Sequence, residues 1–442
     1  MLAITALAAT PRLTVRNGSL EFGGARAFLN GVNQAWLNYG DDFGNNSTHG
    51  HFCALRDTLV NTSAAGGHSI RIWLHVEGDK TPQFNADGFV VATDASHTLI
   101  SDMRRYLRAA AELDVLVFFV LWNGAVLKNE QTKALFASPP RLDSYIEKVL
   151  TPMAAALAGE PGLGAWEIMN EPEGSVAAGV ADADPCFDTM ALQNTGAGWA
   201  QSTPIPMKQV LTFVGRQAAA IHAADANALV TVGAWSEHSV SDALGLKDYY
   251  TPECLKKAAG GAAGAYLDFK QVHSYATAPG KTWNPTSPFR HSAKEFAEAT
   301  PLLIGEFEPG ASAQGENATA LYGWAHAKSY CGGWGWTALS EPTLYGGMAS
   351  LKGDADVDVV RLPHAGLPNT CNCSDVAPTP DYTCQQQASW GKCAEPFMAG
   401  YCCRSCHECS ASCAGGPPAP PYVPDLDHAE YRAYVRMAMR RE

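Results

Sequence analysis

The chain reads as an α/β protein: a (β/α)8 TIM barrel followed by a small disulfide-rich C-terminal module. Three observations predict this. Eight short apolar runs alternate with longer segments of helical periodicity from about residue 27 to 360, and strand–helix alternation repeated eight times closes a parallel barrel. Each of those runs ends in polar or aromatic residues, as strands do when their carboxyl ends open on one shared face. Nine of the 13 cysteines crowd between Cys371 and Cys413, a density that suits a segment too small for its own apolar core. A doubly wound open sheet is the competing architecture, but it does not usually need eight such units.

Taken in order, residues 1–15 open on "MLAITALAAT", the apolar end of a signal peptide with an Ala-Leu-Ala cleavage pattern and no basic n-region. An ordinary disordered N-terminus is the other reading. The barrel is assigned to residues 16–365. Its strands are "AFLNGVNQAW", "HSIRIWLHVEG", "VLVFFVLWNG", "GAWEIMNEPEG", "LVTVGAWSE", "DFKQVHSYA", "PLLIGEFEPG" and "GGWGWTALS". Between them, stretches such as "TLISDMRRYLRAAAELD" and "MKQVLTFVGRQAAAIHAADA" place apolar residues at helical spacing. The strand ends carry Asn33 and Trp36, Arg71 and His75, Trp122 and Asn123, Asn170 and Glu171, Trp235, His273 and Tyr275, Glu306, and Trp334 and Trp336. After the barrel come the Cys-rich module at 371–413, a stiff Pro-rich linker at 414–425, and a short basic amphipathic helix from Leu426.

Composition excludes several functions. The net charge is −13, and basic residues gather only in the final "YRAYVRMAMRRE", so a nucleic acid would be repelled. No apolar run reaches the roughly 18 residues a membrane span needs. A neutral substrate is compatible with this surface. Asn17, Asn45, Asn46, Asn61, Asn317 and Asn372 each precede Ser or Thr by two positions, which with the cysteines indicates an oxidising, extracellular route. The odd cysteine count leaves at least one thiol outside the module's pairing. Zinc held by "CCRSCHEC" is the alternative reading of that segment.

The run "LLIGEFEPG" ends an apolar strand on Glu306, and "WEIMNEPEG" ends another on Glu171. Two carboxylates facing each other across a barrel mouth can flank a glycosidic bond, and a retaining glycosidase needs them about 5–5.5 Å apart. Each could instead be a structural salt-bridge acid. No Gly-rich phosphate loop appears, which disfavours a phosphate-binding barrel enzyme. His273 and Tyr275 stand two apart on one strand and so face the same side. A lone Trp is more often core than sugar platform, which applies to Trp36, Trp122, Trp166, Trp235 and Trp334. His75 and Glu77 end the second strand, where sugar contact and structural burial compete.

"NEP" after one strand and "GEF" ending a later one resemble glycoside hydrolase family 5. Longer stretches, "GVNQAWLNYGDDFGNN", "IRIWLHVEG", "LWNGAV", "GAGWA", "FKQVHSYA", "IGEFEPG" and "GWGWT", resemble the endo-β-1,4-mannanases of molluscs and related animals over about residues 27–362. The resemblance implies a secreted endo-β-1,4-mannanase, with Glu171 as acid/base and Glu306 as nucleophile. It also implies Arg71 beside the nucleophile, Asn170 on the substrate 2-hydroxyl, and His273 and Tyr275 lining the reacting-sugar site. Trp336 becomes the floor beneath the sugar ring, with Trp36, Trp122, Trp235 and His75 as further substrate contacts. Cys186 and Cys254 fall where those enzymes tie a loop, whereas Cys53 and Cys331 read as buried thiols. The module resembles those appended to green-algal cellulases, with Trp390, Phe397, Met398 and Tyr401 available to a polysaccharide; a spacer without sugar contact is the alternative. A β-1,4-glucanase and a non-catalytic carbohydrate-binding wall protein are the competing functions. The chemistry requires no metal or organic cofactor, and the chain is expected to act as a monomer.

Overall fold

The computed structural model describes residues 11–45, 48–124, 127, 129–200, 204–277, 280–296, 299–363, 382–390 and 392. Eight parallel strands close a barrel: β1 (Leu29–Ala35), β2 (Ser69–Val76), β3 (Leu116–Asn123), β4 (Leu163–Asn170), β5 (Val230–Ala234), β6 (Lys270–His273), β7 (Leu302–Phe307) and β8 (Gly332–Gly335). They pair in chain order, and β8 returns to β1 through Gly332↔Leu29 to Gly335↔Val32. All eight expected strands are present, each in its expected place.

Helices wrap the outside. After β1 comes α1 (Thr48–Ala64), and after β2 comes α2 (Leu99–Ala111), which turns Leu99, Met103, Tyr106, Leu107 and Ala110 inward at the spacing of one helical face. Between β3 and β4 lie α3 (Glu130–Ala137), α4 (Pro139–Tyr145) and α5 (Thr151–Leu157), the last two joined by a π-helical turn at Ile146–Leu150. Then follow α6 (Met207–Ala224), α7 (Pro252–Ala258), α8 (Ala318–Ala327) and α9 (Thr343–Ala349). Several starts are capped by short polar side chains, as orphan N–H groups require. Asn129 accepts from Gln131 and Thr132, Thr251 from Cys254, and Asn317 from Ala320.

The main core lies between strands and helices, where each fully buried Leu or Phe contributes about 2 kcal/mol. A second cluster seals the amino-terminal end of the barrel with Leu13, Leu20, Phe22, Leu29, Leu116, Phe118, Leu303 and Trp334. Part of that seal comes from a small antiparallel sheet, Leu13–Arg16, Ser19–Phe22 and Ala25–Arg26. Its first turn is Asn17-Gly18, with φ of 51° and 72°, the dipeptide a tight hairpin favours. The folded domain therefore begins by Leu13, earlier than the expected boundary at residue 16. The expected strand pattern missed this sheet because its strands are only two to four residues long.

A disulfide joins Cys186, in the loop after β4, to Cys254 in α7, as expected. Cys331 is a buried free thiol, also as expected. Cys53 corrects the reading: it lies exposed in α1 and is disulfide-bonded. Within the Cys-rich module the short helix α10 (Cys384–Ser389) is described, and Cys384 is also disulfide-bonded. Residues 1–10, Phe397, Met398, Tyr401, the linker and the tail helix lie outside the described residues.

Candidate active site

The site is built at the carboxyl ends of the strands around one cation. Arg71, on β2, is fully buried, and all five of its N–H donors are engaged. Nε donates to Glu167 Oε2 at 2.7 Å, and Nη2 donates to Glu167 Oε1 at 2.5 Å and to Asn170 Oδ1 at 2.7 Å. Nη1 donates to Asn33 Oδ1 at 3.0 Å and to Glu306 Oε1 at 2.6 Å. Burial alone would lower its pKa, but Glu167 and then Glu306 hold it above the ordinary guanidinium value. A planar fork saturated in this way has a single orientation. Removing one partner of such a buried pair costs about 3–5 kcal/mol.

Glu306 ends β7 and is almost wholly buried. Its second oxygen accepts from the Tyr275 hydroxyl at 2.7 Å. Glu171 follows β4 directly and stands at φ 45°, ψ 55°, a left-handed conformation that costs a non-glycine residue about 1–2 kcal/mol. It is held there by its own N–H, which donates to Gly233 O at 2.6 Å. Its Oε1 lies 2.8 Å from His273 Nδ1, which is 3.6 Å from Glu306 Oε2. A carboxylate oxygen of Glu171, one of Glu306 and a ring nitrogen of His273 all lie within 4.8 Å of one another.

Such a trio has the spacing of a metal site, and it is the one group of that kind found among the described residues. Both oxygens of Glu306 are already engaged, however, and the Arg71 cation sits 2.6 Å away, which opposes a second positive charge. The arrangement suits two carboxylates in different protonation states. Burial and then the charge of Glu306 push Glu171 well above the usual carboxylate range. Burial raises Glu306 as well, but Arg71 and Tyr275 pull it back. These neighbours make Glu171 the weaker acid of the pair and favour the charge on Glu306. His273 is kept neutral, its pKa lowered first by burial and then by Arg71.

Six of the expected site residues, Glu171, Glu306, Arg71, Asn170, His273 and Tyr275, thus meet in one hydrogen-bonded group. Asn170 also donates to Asn123 Oδ1 at 3.0 Å. Trp36 and Trp336 are half-buried and meet edge-on around Trp73, whose ring lies 4.2 Å from the Arg71 guanidinium carbon. Trp235 sits at the rim, 5.0 Å from Trp199. Two expectations are corrected. Trp122 is fully buried, donating to Gln217 Oε1 at 3.0 Å and packing on Tyr145 and Phe213. His75 is fully buried beneath it, bound to Thr81 Oγ1 at 2.8 Å and to the Tyr145 hydroxyl at 3.1 Å. Both are core residues.

Sequence reasoning passed over Glu167 and Glu173, and placed Asn33 at a strand end without giving it a role. Glu167 holds Arg71, and its signal was a charge inside an otherwise apolar strand. Asn33 spans the barrel, donating to the carbonyls of Gly305 and Trp334. Glu173 is buried beneath the rim, accepting from Trp235 N, Ser239 Oγ and the Tyr250 hydroxyl. It joins the loop after β4 to the loop after β5.

Comparison with known proteins agrees with this geometry. Residues 41–340 match the family described as cellulase (glycosyl hydrolase family 5). The chain is 42% identical over 355 residues to a mannan endo-1,4-beta-mannosidase of Mytilus edulis, covering 79% of this chain and 95% of that one. The structure of an endo-1,4-beta-mannanase from Eisenia fetida superposes with a TM-score of 0.76 at 40% identity, covering 79% of this chain and 99% of that one. A beta-1,4-D-mannanase from Cryptopygus antarcticus gives 0.77 at 38% identity, covering 80% and 100%.

Proposed function

The chain belongs to glycosyl hydrolase family 5, and from its likeness to mannan endo-1,4-beta-mannosidases we propose that it is an endo-β-1,4-mannanase acting on internal bonds of mannan, glucomannan and galactomannan. The observation that carries the mechanism is the pair of carboxylates within 4.8 Å, one oriented by a cation and the other not. Such a separation suits retention, because an inverting enzyme sets its two carboxyl groups about 6.5–9.5 Å apart to make room for the attacking water as well as the sugar.

In that step Glu306 attacks the anomeric carbon, and the bond to the leaving oxygen breaks as Glu171 delivers its proton there. A covalent glycosyl–enzyme forms and the shortened chain departs. Glu171, now ionised, takes a proton from a water that displaces Glu306, which restores both groups. Tyr275 and Arg71 hold the nucleophile with two charge-assisted hydrogen bonds. Asn170, fixed by Arg71 and Asn123, presents a rigid amide to the sugar 2-hydroxyl. Trp36 and Trp336 supply flat apolar faces for pyranose C–H groups, and Trp235 continues that surface at the rim.

A reducing-sugar assay on mannan, glucomannan, galactomannan and cellulose, with product lengths resolved, tests the reading. Rapid release of mixed mannooligosaccharides is expected. Cleavage of cellulose with mannan untouched would transfer the assignment to a β-1,4-glucanase, and no cleavage of any polymer would favour a carbohydrate-binding wall protein.

The same reading makes the protein a secreted monomer. Its cysteine usage supports export, and no helix among the described residues is long and apolar enough to cross a membrane. It also gives the Cys-rich module a role in holding insoluble polysaccharide. In support, Tyr382 and Trp390 are 49% and 51% exposed and their rings lie 5.0 Å apart, which leaves two amphipathic aromatic side chains open to a pyranose. Trp390→Ala is expected to lower retention on insoluble mannan several-fold while turnover of soluble mannohexaose stays the same. Unchanged retention would favour the spacer reading.

A further inference from the structure

Glu167 lies inside β4, four residues before Glu171, and is fully buried. The displacement described above makes no use of it. Three N–H donors converge on its carboxylate: Arg71 Nε, Arg71 Nη2 and Gln271 Nε2, the last at 2.7 Å. Two of these belong to a guanidinium gripping both oxygens, which is the arrangement of an ionised carboxylate. The neighbouring strand makes room for the pair. Gly233 of β5 faces it, and a Cβ there would collide with both Glu167 Oε1 and Arg71 Nη2.

The charges around this point can be counted. Arg71 of β2 is the one cation within the hydrogen-bonded group. Facing it are Glu167 and Glu171 from β4, Glu306 from β7, and the uncharged Asn33, Asn170 and Gln271. His273 is neutral, Tyr275 is held neutral by burial and by Glu306, and Glu173 is occupied with Tyr250 and Ser239. Arg71 is therefore matched twice over, by a bidentate bond to Glu167 and a single bond to Glu306.

We propose that Glu167 is a positioning residue that sets the proton count of the reaction. By taking up the charge of Arg71, it leaves Glu171 and Glu306 with one negative charge and one proton between them. Ionising Glu171 as well would add a buried anion with no counter-charge, so the acid keeps its proton. Without Glu167, the full charge of Arg71 falls on the two glutamates, and Glu171 loses its proton at a lower pH. This inference rests on the roles given to Glu171 and Glu306 above.

The test measures kcat/KM on mannohexaose against pH for the full chain and for its Glu167→Gln and Glu167→Asp variants, with folding checked by thermal melting. In Glu167→Gln the alkaline limb is expected to move toward acid by about one pH unit or more. In Glu167→Asp, which keeps the charge, it stays in place although kcat falls. A Gln variant with an unmoved limb would overturn the proposal, however slow that enzyme becomes. Should the Gln variant not fold, an Arg71→Met/Glu167→Gln double variant removes the ion pair together. The Glu171 titration is then followed by carbon-13 NMR: a value within about one unit of the parent's supports the proposal, and a larger displacement refutes it. Because NMR needs no turnover, a parent inactive on mannan would defeat the mannanase reading and leave this one open to measurement.

Discussion

Glu171 and Glu306 have the same side chain and, in the proposed mechanism, opposite tasks, and the difference lies in their neighbours. Glu306 accepts from Arg71 and Tyr275, whereas the carboxyl of Glu171 meets a neutral imidazole as its hydrogen-bond partner among the described residues. Glu306→Gln is expected to reduce mannan hydrolysis at least about 10³-fold with the fold intact; steady-state rates with a melting curve check both. Glu171→Ala should spare the first step for an aryl mannoside whose leaving group needs no proton, seen as a burst of released phenol, while the second step slows because its base is lost as well. Activity should fall as pH rises through the Glu171 pKa, above the range of an ordinary carboxylate, because the acid is then ionised. His75 acts on stability. Burial lowers its pKa to about 3, so between about pH 6.5 and 3 the unfolded chain binds a proton that the folded chain refuses. Its contribution is complete above pH 6.5 and is lost toward acid at about 1.4 kcal/mol per unit. His75→Gln should flatten that acid slope in denaturant titrations across the window.

At the scale of the element, the carboxyl ends of the strands were legible because parallel barrels put chemistry there. "NEP" and "GEF" therefore located the pair without coordinates. The errors arose where strand alternation breaks. On β2, Arg71 and Trp73 face the site together as period two requires, but the pairing with β3 shifts between Trp73 and Val76. Beyond that irregularity, position no longer tells which way a side chain points, and His75 and Trp122 turn into the core. Glu167 escaped notice for a different reason: its partner lies 96 residues away, and a single chain gives no sign of such contacts. The Cys186–Cys254 bridge ties the long loop after β4 to α7 across 68 residues. Closing a loop of that length stabilises by about 4 kcal/mol in the chain-entropy view. Replacing both cysteines by alanine should lower the melting temperature by several degrees. The effect on kcat should be small, because Glu171 is fixed by β4 and β5 and not by that loop.

Across the whole molecule, the cysteines divide by location. Among the described residues one pair braces the barrel, one thiol is buried, and Cys53 in α1 is disulfide-bonded. The sequence count could say that one thiol was left over but not which, because bridge partners follow from folding and not from spacing. The unfavourable backbone of Glu171 bears on the molecule as a whole. A glycine at that position would adopt the same turn without penalty and would bury no acid, so Glu171→Gly should melt higher than the parent while being unable to cleave mannan. Selection for durability alone would disarm this protein, and the most heat-resistant member of any random library deserves an activity assay before it is called improved.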